Sequence, residues 1–255
     1  ILILTVSISV ELIYNHYIKI YNGQINWNKK LVLKSAIILM FCNVFILEWF
    51  IYTEMAFLWS LSLLFMDLAV IQITPQCYLK HIIRSIAYVF VSVSFYQASI
   101  SYFVIFALIG IYIGYAGKLN KSSFSDSIKV FICGGLGGIF NLAFIKLMQI
   151  LNIVQSTNRT ESLSLDLWIN NIETIFQNIK RWLLDSYGLL PKYSLIVIVL
   201  IMYALLVVGL IKKKKKLNLI YIILLIIMCN IIVYIPHFLT STVWMAQRTI
   251  TSFFV

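Results

Sequence analysis

Residues 193–211 and 217–235 are two nearly uninterrupted apolar runs, and only five consecutive lysines, Lys212 to Lys216, separate them. Similar runs recur at 1–14, 31–47, 55–74, 82–95, 98–115 and 128–151. None alternates with the period of two that marks a half-buried strand, so all read as helices. Of the 255 residues 62% are hydrophobic and only 11% are charged, whereas a soluble chain carries about 25% charge. A soluble fold of this size cannot hide that much apolar surface. In lipid every backbone N–H and C=O must be paired within the protein, which helices achieve segment by segment. The expectation is an all-α, polytopic integral membrane bundle of about eight spans, a single transmembrane domain over residues 1–255. The first run begins at Ile1 without a basic leader, so it is no signal peptide. The chain reads as an internal piece of a longer protein.

The lysines orient the bundle, because basic loops stay on the cytoplasmic side. With Lys212–Lys216 inside, alternation puts loops 15–30, 75–81 and 116–127 inside as well. Inside segments and their flanking turns then hold 14 of the 20 basic residues. Outside fall 48–54, the Tyr96-Gln97 corner, 152–192 and everything after 235. This parity requires residues 82–115 to cross twice, with a corner at Tyr96-Gln97, rather than as one long helix. The net charge of +11 sits in short loops and is not interleaved on a face, so membrane lipids are the expected partner and nucleic acid is not. Cys42, Cys77, Cys133 and Cys229 lie in or beside apolar segments without CxxC spacing and read as small packing residues.

Segment 152–192 is too long for a plain connection. Its apolar residues, among them Leu165, Trp168, Ile172, Ile175, Phe176 and Ile179, recur at helical spacing among polar ones. An amphipathic helix lying along the outer interface is expected. Gly134-Gly135-Leu136-Gly137-Gly138 fits no phosphate loop, since no strand precedes it and no Lys-Ser/Thr follows. Close helix contact is its expected use.

Several residues carry candidate chemistry. Tyr96-Gln97 is framed by Ser92, Ser94, Ser99 and Ser101 between two apolar arms. It is either a polar knot that satisfies backbone freed at a helix break or a cavity wall that hydrogen-bonds a ligand such as a sugar. Arg159 and Arg248 fall outside, against the inward trend of basic residues. Each is an interfacial anchor or a guanidinium whose planar donor fork suits a phosphate. Glu48 and Glu54 flank Trp49 and Tyr52 in a short outer loop. Each either caps the next helix or acts as a general base toward an acceptor hydroxyl. His237, in the same outer tail as Arg248, joins the substrate-binding candidates. His16 and His81 fall on the opposite side from it, so no metal site follows. Asp67 lies within a span and reads as a polar contact of the bundle interior. No nucleotide loop or Ser/His/Asp set is present, and no cofactor is expected.

The stretch Arg84-Ser85-Ile86-Ala87-Tyr88, continuing through Ser92-Val93-Ser94-Phe95-Tyr96-Gln97-Ala98-Ser99 into an apolar arm, resembles the type II Gtr membrane glucosyltransferases. In these a Tyr-Gln pair joins two membrane helices. The glycine-rich span 133–151 with the following segment around Arg159, and the later outer loop with Pro236 and Arg248, are also similar. The resemblance implies a GT-C-like architecture at the cell membrane. It implies that glucose passes from a polyprenyl-phosphate-linked donor to a cell-surface polysaccharide or its lipid-linked repeat unit, a glycolipid acceptor, on the outer side. An outer arginine would hold the leaving phosphate. The catalytic acid of such proteins usually sits in the first outer loop, upstream of Ile1, which leaves Glu54 and Glu48 as the acids this chain itself offers. The alternative class is a flippase or transporter of lipid-linked sugars. That class favours paired halves with broken helices, and no internal repeat is evident.

Overall fold

The computed structural model describes residues 1–21, 26–41, 55–117, 121–154, 165–185 and 191–212. Among the described residues the fold is all-helical, with no strand: α1 (Leu2–Ile20), α2 (Trp27–Phe41), α3 (Ala56–Gln72), α4 (Leu79–Phe95), α5 (Ser99–Gly114), α6 (Lys121–Ile150), α7 (Leu165–Asp185) and α8 (Ser194–Lys212). Only α6 is long and apolar enough, among these residues, to cross a membrane by length and composition. Helices α3 and α5, and the 194–205 stretch of α8, are apolar but shorter. The expected span 217–235 and residues 42–47 of the second span lie outside the described residues. The described residues within Ile1–Gln155 form one compact unit, and those within Ser156–Met245 a second.

The first unit is built around α5. Every residue from Tyr102 to Leu108 is buried, which is why this helix is apolar on all sides. Helices α1, α3, α4 and α6 surround it. The Tyr17 hydroxyl of α1 donates to the Phe106 carbonyl at 2.7 Å. Phe41 of α2 stacks on Phe106 with centroids 4.9 Å apart, a contact of about 0.5–1.5 kcal/mol. Helices α3 and α4 run antiparallel, with Ser62 against Ser92 at one end and Ala69 against Ser85 toward the other. Between them Thr74-Pro75 ends α3, because proline cannot continue the ladder and restricts the residue before it.

The C-terminal ends of α1, α3 and α5 lie together at one end of this unit. Pro75 lies over Gly114 at the end of α5, and Ile20 lies near Gly110. Asp126 in the second turn of α6, ahead of the apolar stretch that starts at Ile128, ties two of the turns together. It accepts from the Gln76 amide at 2.8 Å, the Tyr115 hydroxyl at 2.8 Å and the Lys129 ammonium at 2.7 Å. Burial alone would raise the Asp126 carboxyl, but these three donors outweigh it and hold the group below its usual range. Gln76 has φ +58°, a costly conformation for a residue with a Cβ, and the Asp126 bond holds its amide there. Lys19, Lys80 and Lys121 belong to this same end. The Tyr96-Gln97 corner is at the other.

Helix α6 lies against α4 and α5 through its glycines, the use expected from sequence. A Cβ on Gly134 would sit 3.1 Å from Val104 Cγ2. One on Gly137 would sit 2.5 Å from Val89 Cγ1 and 2.8 Å from its Cβ, atoms too close to the backbone to swing aside. A Cβ on Gly135 would meet nothing within 4 Å. Buried Cys77 and Cys133 are free thiols, and Cys42 and Cys229 lie outside the described residues.

In the second unit α7 packs on α8. The Tyr193 amide closes the connection on the Leu184 carbonyl at 2.7 Å. Helix α7 is amphipathic, as its spacing predicts. Ile175 and Asn171, one turn apart, are buried, while Ile169, Ile172 and Phe176 form an exposed apolar stripe.

The glycine contacts give a paired prediction. Gly137→Ala costs about 1–3 kcal/mol through overpacking, whereas Gly135→Ala is neutral or stabilises by up to about 1 kcal/mol through helix propensity. Thermal unfolding of the two variants in detergent checks it; equal losses would contradict the α4–α6 packing.

Candidate functional site

Residues 82–115 do form two helices, and the break between α4 and α5 is made without proline or glycine. Tyr96 leaves helical geometry for an extended conformation, with φ −155° and ψ 110°. Its amide still closes α4 on the Ser92 carbonyl at 3.0 Å, and its carbonyl starts α5 by accepting from the Ser99 amide at 3.1 Å. The Ser99 hydroxyl donates to the same carbonyl at 2.7 Å.

Serine hydroxyls from three helices lock this corner. Ser62 of α3 donates to the Ser92 carbonyl at 2.9 Å. Ser92 has one proton and two short contacts, 2.7 Å to the Ser62 carbonyl and 2.8 Å to Ser99 Oγ. Ser62, Ser92 and Ser99 are all buried. On the α6 side the Asn141 amide donates to Ser94 Oγ at 2.7 Å, and Ser94 donates to the Phe90 carbonyl at 2.8 Å. Buried Trp59 of α3 meets the Tyr96 ring edge-on at 5.9 Å.

Both sequence readings of Tyr96-Gln97 therefore have a physical counterpart. The serines form the polar knot that a helix break requires. Gln97 stands outside it: it is exposed and its side chain takes no part in the network, while Tyr96 is half-buried against Trp59. A rigid corner thus presents a free carboxamide, two donors and an acceptor, beside an aromatic ring. That pairing suits a polyhydroxyl ligand.

Of the residues singled out from sequence, the structure brings together Tyr96 and Gln97. Glu48, Glu54, Arg159, His237 and Arg248 lie outside the described residues. Trp59, Ser62 and Asn141 were not singled out. For Asn141 a signal was available, since a lone amide in an apolar span seeks a partner. Trp59 and Ser62 are ordinary residues of such a span, and only helix rotation brings them to the corner. Among the described residues no group of three or more His, Cys, Asp and Glu side chains is gathered to hold a metal ion.

Comparison with known families supplies the class and then the family. The family model described as Glucosyl transferase GtrII matches residues 1–255, the entire chain. This is a glycosyltransferase, using a sugar donor and an acceptor. It belongs to the GtrII glucosyl transferase family, which is membrane-associated. No curated protein and no solved structure matches it.

The hydrogen bonds predict different fates for two corner residues. Ser92→Ala leaves buried acceptors without a donor and lowers stability by about 1–3 kcal/mol. Gln97→Ala, exposed and outside the network, changes it by less than about 0.5 kcal/mol. Denaturation midpoints in detergent distinguish the two.

Proposed function

We propose that this chain is the multi-pass part of a cell-membrane glucosyltransferase acting on the outer face. Its donor is glucose carried on a polyprenyl phosphate, and its acceptor is a cell-surface polysaccharide or the lipid-linked repeat unit of one. The observation that carries this reading is the locked corner with its free Gln97, at the bundle end opposite the basic connections, in a chain of the GtrII family. Basic connections at one end favour a cytoplasmic placement of that end, which puts the corner outside. Helices of 16 or 17 residues, α3, α4 and α5, are about 25 Å long at 1.5 Å per residue. They fit a hydrocarbon core of about 30 Å when their ends are buried in protein, as the serine knot allows. Eight spans follow when 217–235 is counted. The exposed stripe Ile169, Ile172 and Phe176 suits α7 to the outer lipid interface.

On this reading Tyr96 and Gln97 hold the glucose hydroxyls. Arg159 and Arg248 hold the donor phosphate, and His237 adds a donor nearby. The acceptor hydroxyl oxygen attacks the anomeric carbon as the glycosidic C–O bond breaks, and that electron pair leaves with the phosphate. The arginines neutralise the charge that develops there. A carboxylate takes the hydroxyl proton; Glu54 and Glu48 are the candidates within this chain, with an upstream acid expected from the family pattern.

The test uses membranes containing the full-length protein and a labelled glucosyl lipid. Arg159→Ala lowers transfer about 100-fold or more, and Gln97→Ala about tenfold or more, the loss of one hydrogen bond to the transferred sugar. Topology reporters show unchanged insertion. Full transfer by both variants would remove these residues from the site.

A further inference from the structure

Helix α3 carries two polar lines, and only one of them is satisfied. Toward α4, Ser62 and the Ala69 carbonyl are bonded to Ser92 and Ser85. The other line contains Ser60 and Asp67, seven residues apart and so on one face of the helix. Asp67 is fully buried, and neither of its carboxylate oxygens has a hydrogen-bond partner. The hydroxyl of Ser9 in α1 lies beside it, also fully buried, but outside hydrogen-bond geometry. Ser60 Oγ and His16 Nε2 are buried without a partner as well. Ser60 adjoins Trp59, at the corner end of the bundle. His16 reaches the Ile73 backbone at the basic end. The orphaned polar atoms therefore form a seam along α3 and α1 from one end of the bundle to the other, with Asp67 and Ser9 at its middle.

A bare carboxylate in such an interior is strongly unfavourable unless its charge is matched. No lysine, arginine or histidine forms an ion pair with Asp67 among the described residues. The titratable groups on the helices packed around it are few. Helix α1 supplies Tyr17, whose hydroxyl is committed to the Phe106 carbonyl, and His16 further along, beside Lys19. Helix α5 supplies Tyr102. Helix α4 supplies Tyr88, which lies against Phe65, and His81, which is bonded to Gln72. Helix α3 itself supplies none. Nothing among these gives a fixed positive charge at the carboxylate, so the match must come from something bound.

We propose that the seam between α1, α3 and α5 is a binding site for one small monovalent cation, H⁺ or Na⁺, seated on Asp67 and Ser9. A divalent ion would leave an uncompensated positive charge among neutral hydroxyls, and such ions ordinarily collect several carboxylates. A monovalent ion or a proton cancels the single charge. The Ser9 hydroxyl then acts as its oxygen ligand or as the acceptor of the carboxyl proton. This site is distinct from the Tyr96-Gln97 corner, and its test does not depend on sugar transfer.

The experiment uses the purified full-length protein. Thermal unfolding is followed while NaCl replaces choline chloride or KCl at constant ionic strength. Infrared difference spectra at neutral pH, with isotope-labelled aspartate and Asp67→Asn as the blank, report whether the carboxyl is protonated. A saturable rise of the midpoint with sodium alone, absent in Asp67→Asn, assigns Na⁺. A protonated-acid band lost in Asp67→Asn, with no sodium effect, assigns H⁺. Ser9→Ala keeps the carboxyl and provides a second variant. It raises the half-saturating sodium concentration about fivefold, the worth of one hydrogen-bonding ligand, or shifts the acid band. An ionised Asp67 in a protein whose unfolding is indifferent to sodium overturns the proposal.

Discussion

A helix that breaks inside an apolar bundle frees backbone groups that have no other solvent, and three buried serines resolve that problem here. Ser62, Ser92 and Ser99 come from three different helices, and their hydroxyls meet the carbonyls of Ser62, Ser92 and Tyr96. Because the partners are interhelical, the same bonds that close the break also fix α3, α4 and α5 against one another. Tyr96 can then turn extended without glycine or proline. The rest of the first unit follows from that fixed set: α5 is enclosed, α6 lies in the groove its glycines permit, and Gln97 is left outside the network.

The apolar runs made the helices legible, and the charge pattern made the corner legible. Residues 82–115 contain no strong helix breaker, yet the lysines on either side require two passes, and two helices are found. Gly134 and Gly137 were legible for a related reason, since small residues in an apolar span signal close approach. Rotation of each helix about its axis was not legible. A helix that is apolar all round, such as α5, gives no face to orient by, and α3 is little better. Whether Ser62 or Ser60 would find a partner depends on that rotation, and the two lie only two residues apart. The amphipathic α7 is the opposite case, because its polar residues mark one face. The rest of the candidate site, Glu48, Glu54, Arg159, His237 and Arg248, stands outside the described residues.

Charge and the corner sit at opposite ends of the first unit, and the separation has a physical consequence. Asp126 draws the Gln76 and Tyr115 turns together at the end rich in lysine, so that end is closed by its own contacts. The corner itself is closed by serines and an aromatic pair, none of them charged. In the reaction proposed above, such a neutral corner would orient the sugar hydroxyls without competing for the anionic donor, whose phosphate is left to charged groups elsewhere.

The satisfied side of α3 also explains why its unsatisfied side persists. Ser62 is held on Ser92 and the Ala69 carbonyl on Ser85, about 10 Å apart along the axis at 1.5 Å per residue. Two such attachments prevent the helix from rotating. Asp67 cannot turn away from α1 without breaking bonds that the Tyr96 corner depends on. The orphaned carboxylate and the ordered corner therefore share one rigid helix, on which Trp59, about two turns before Asp67, meets the Tyr96 ring.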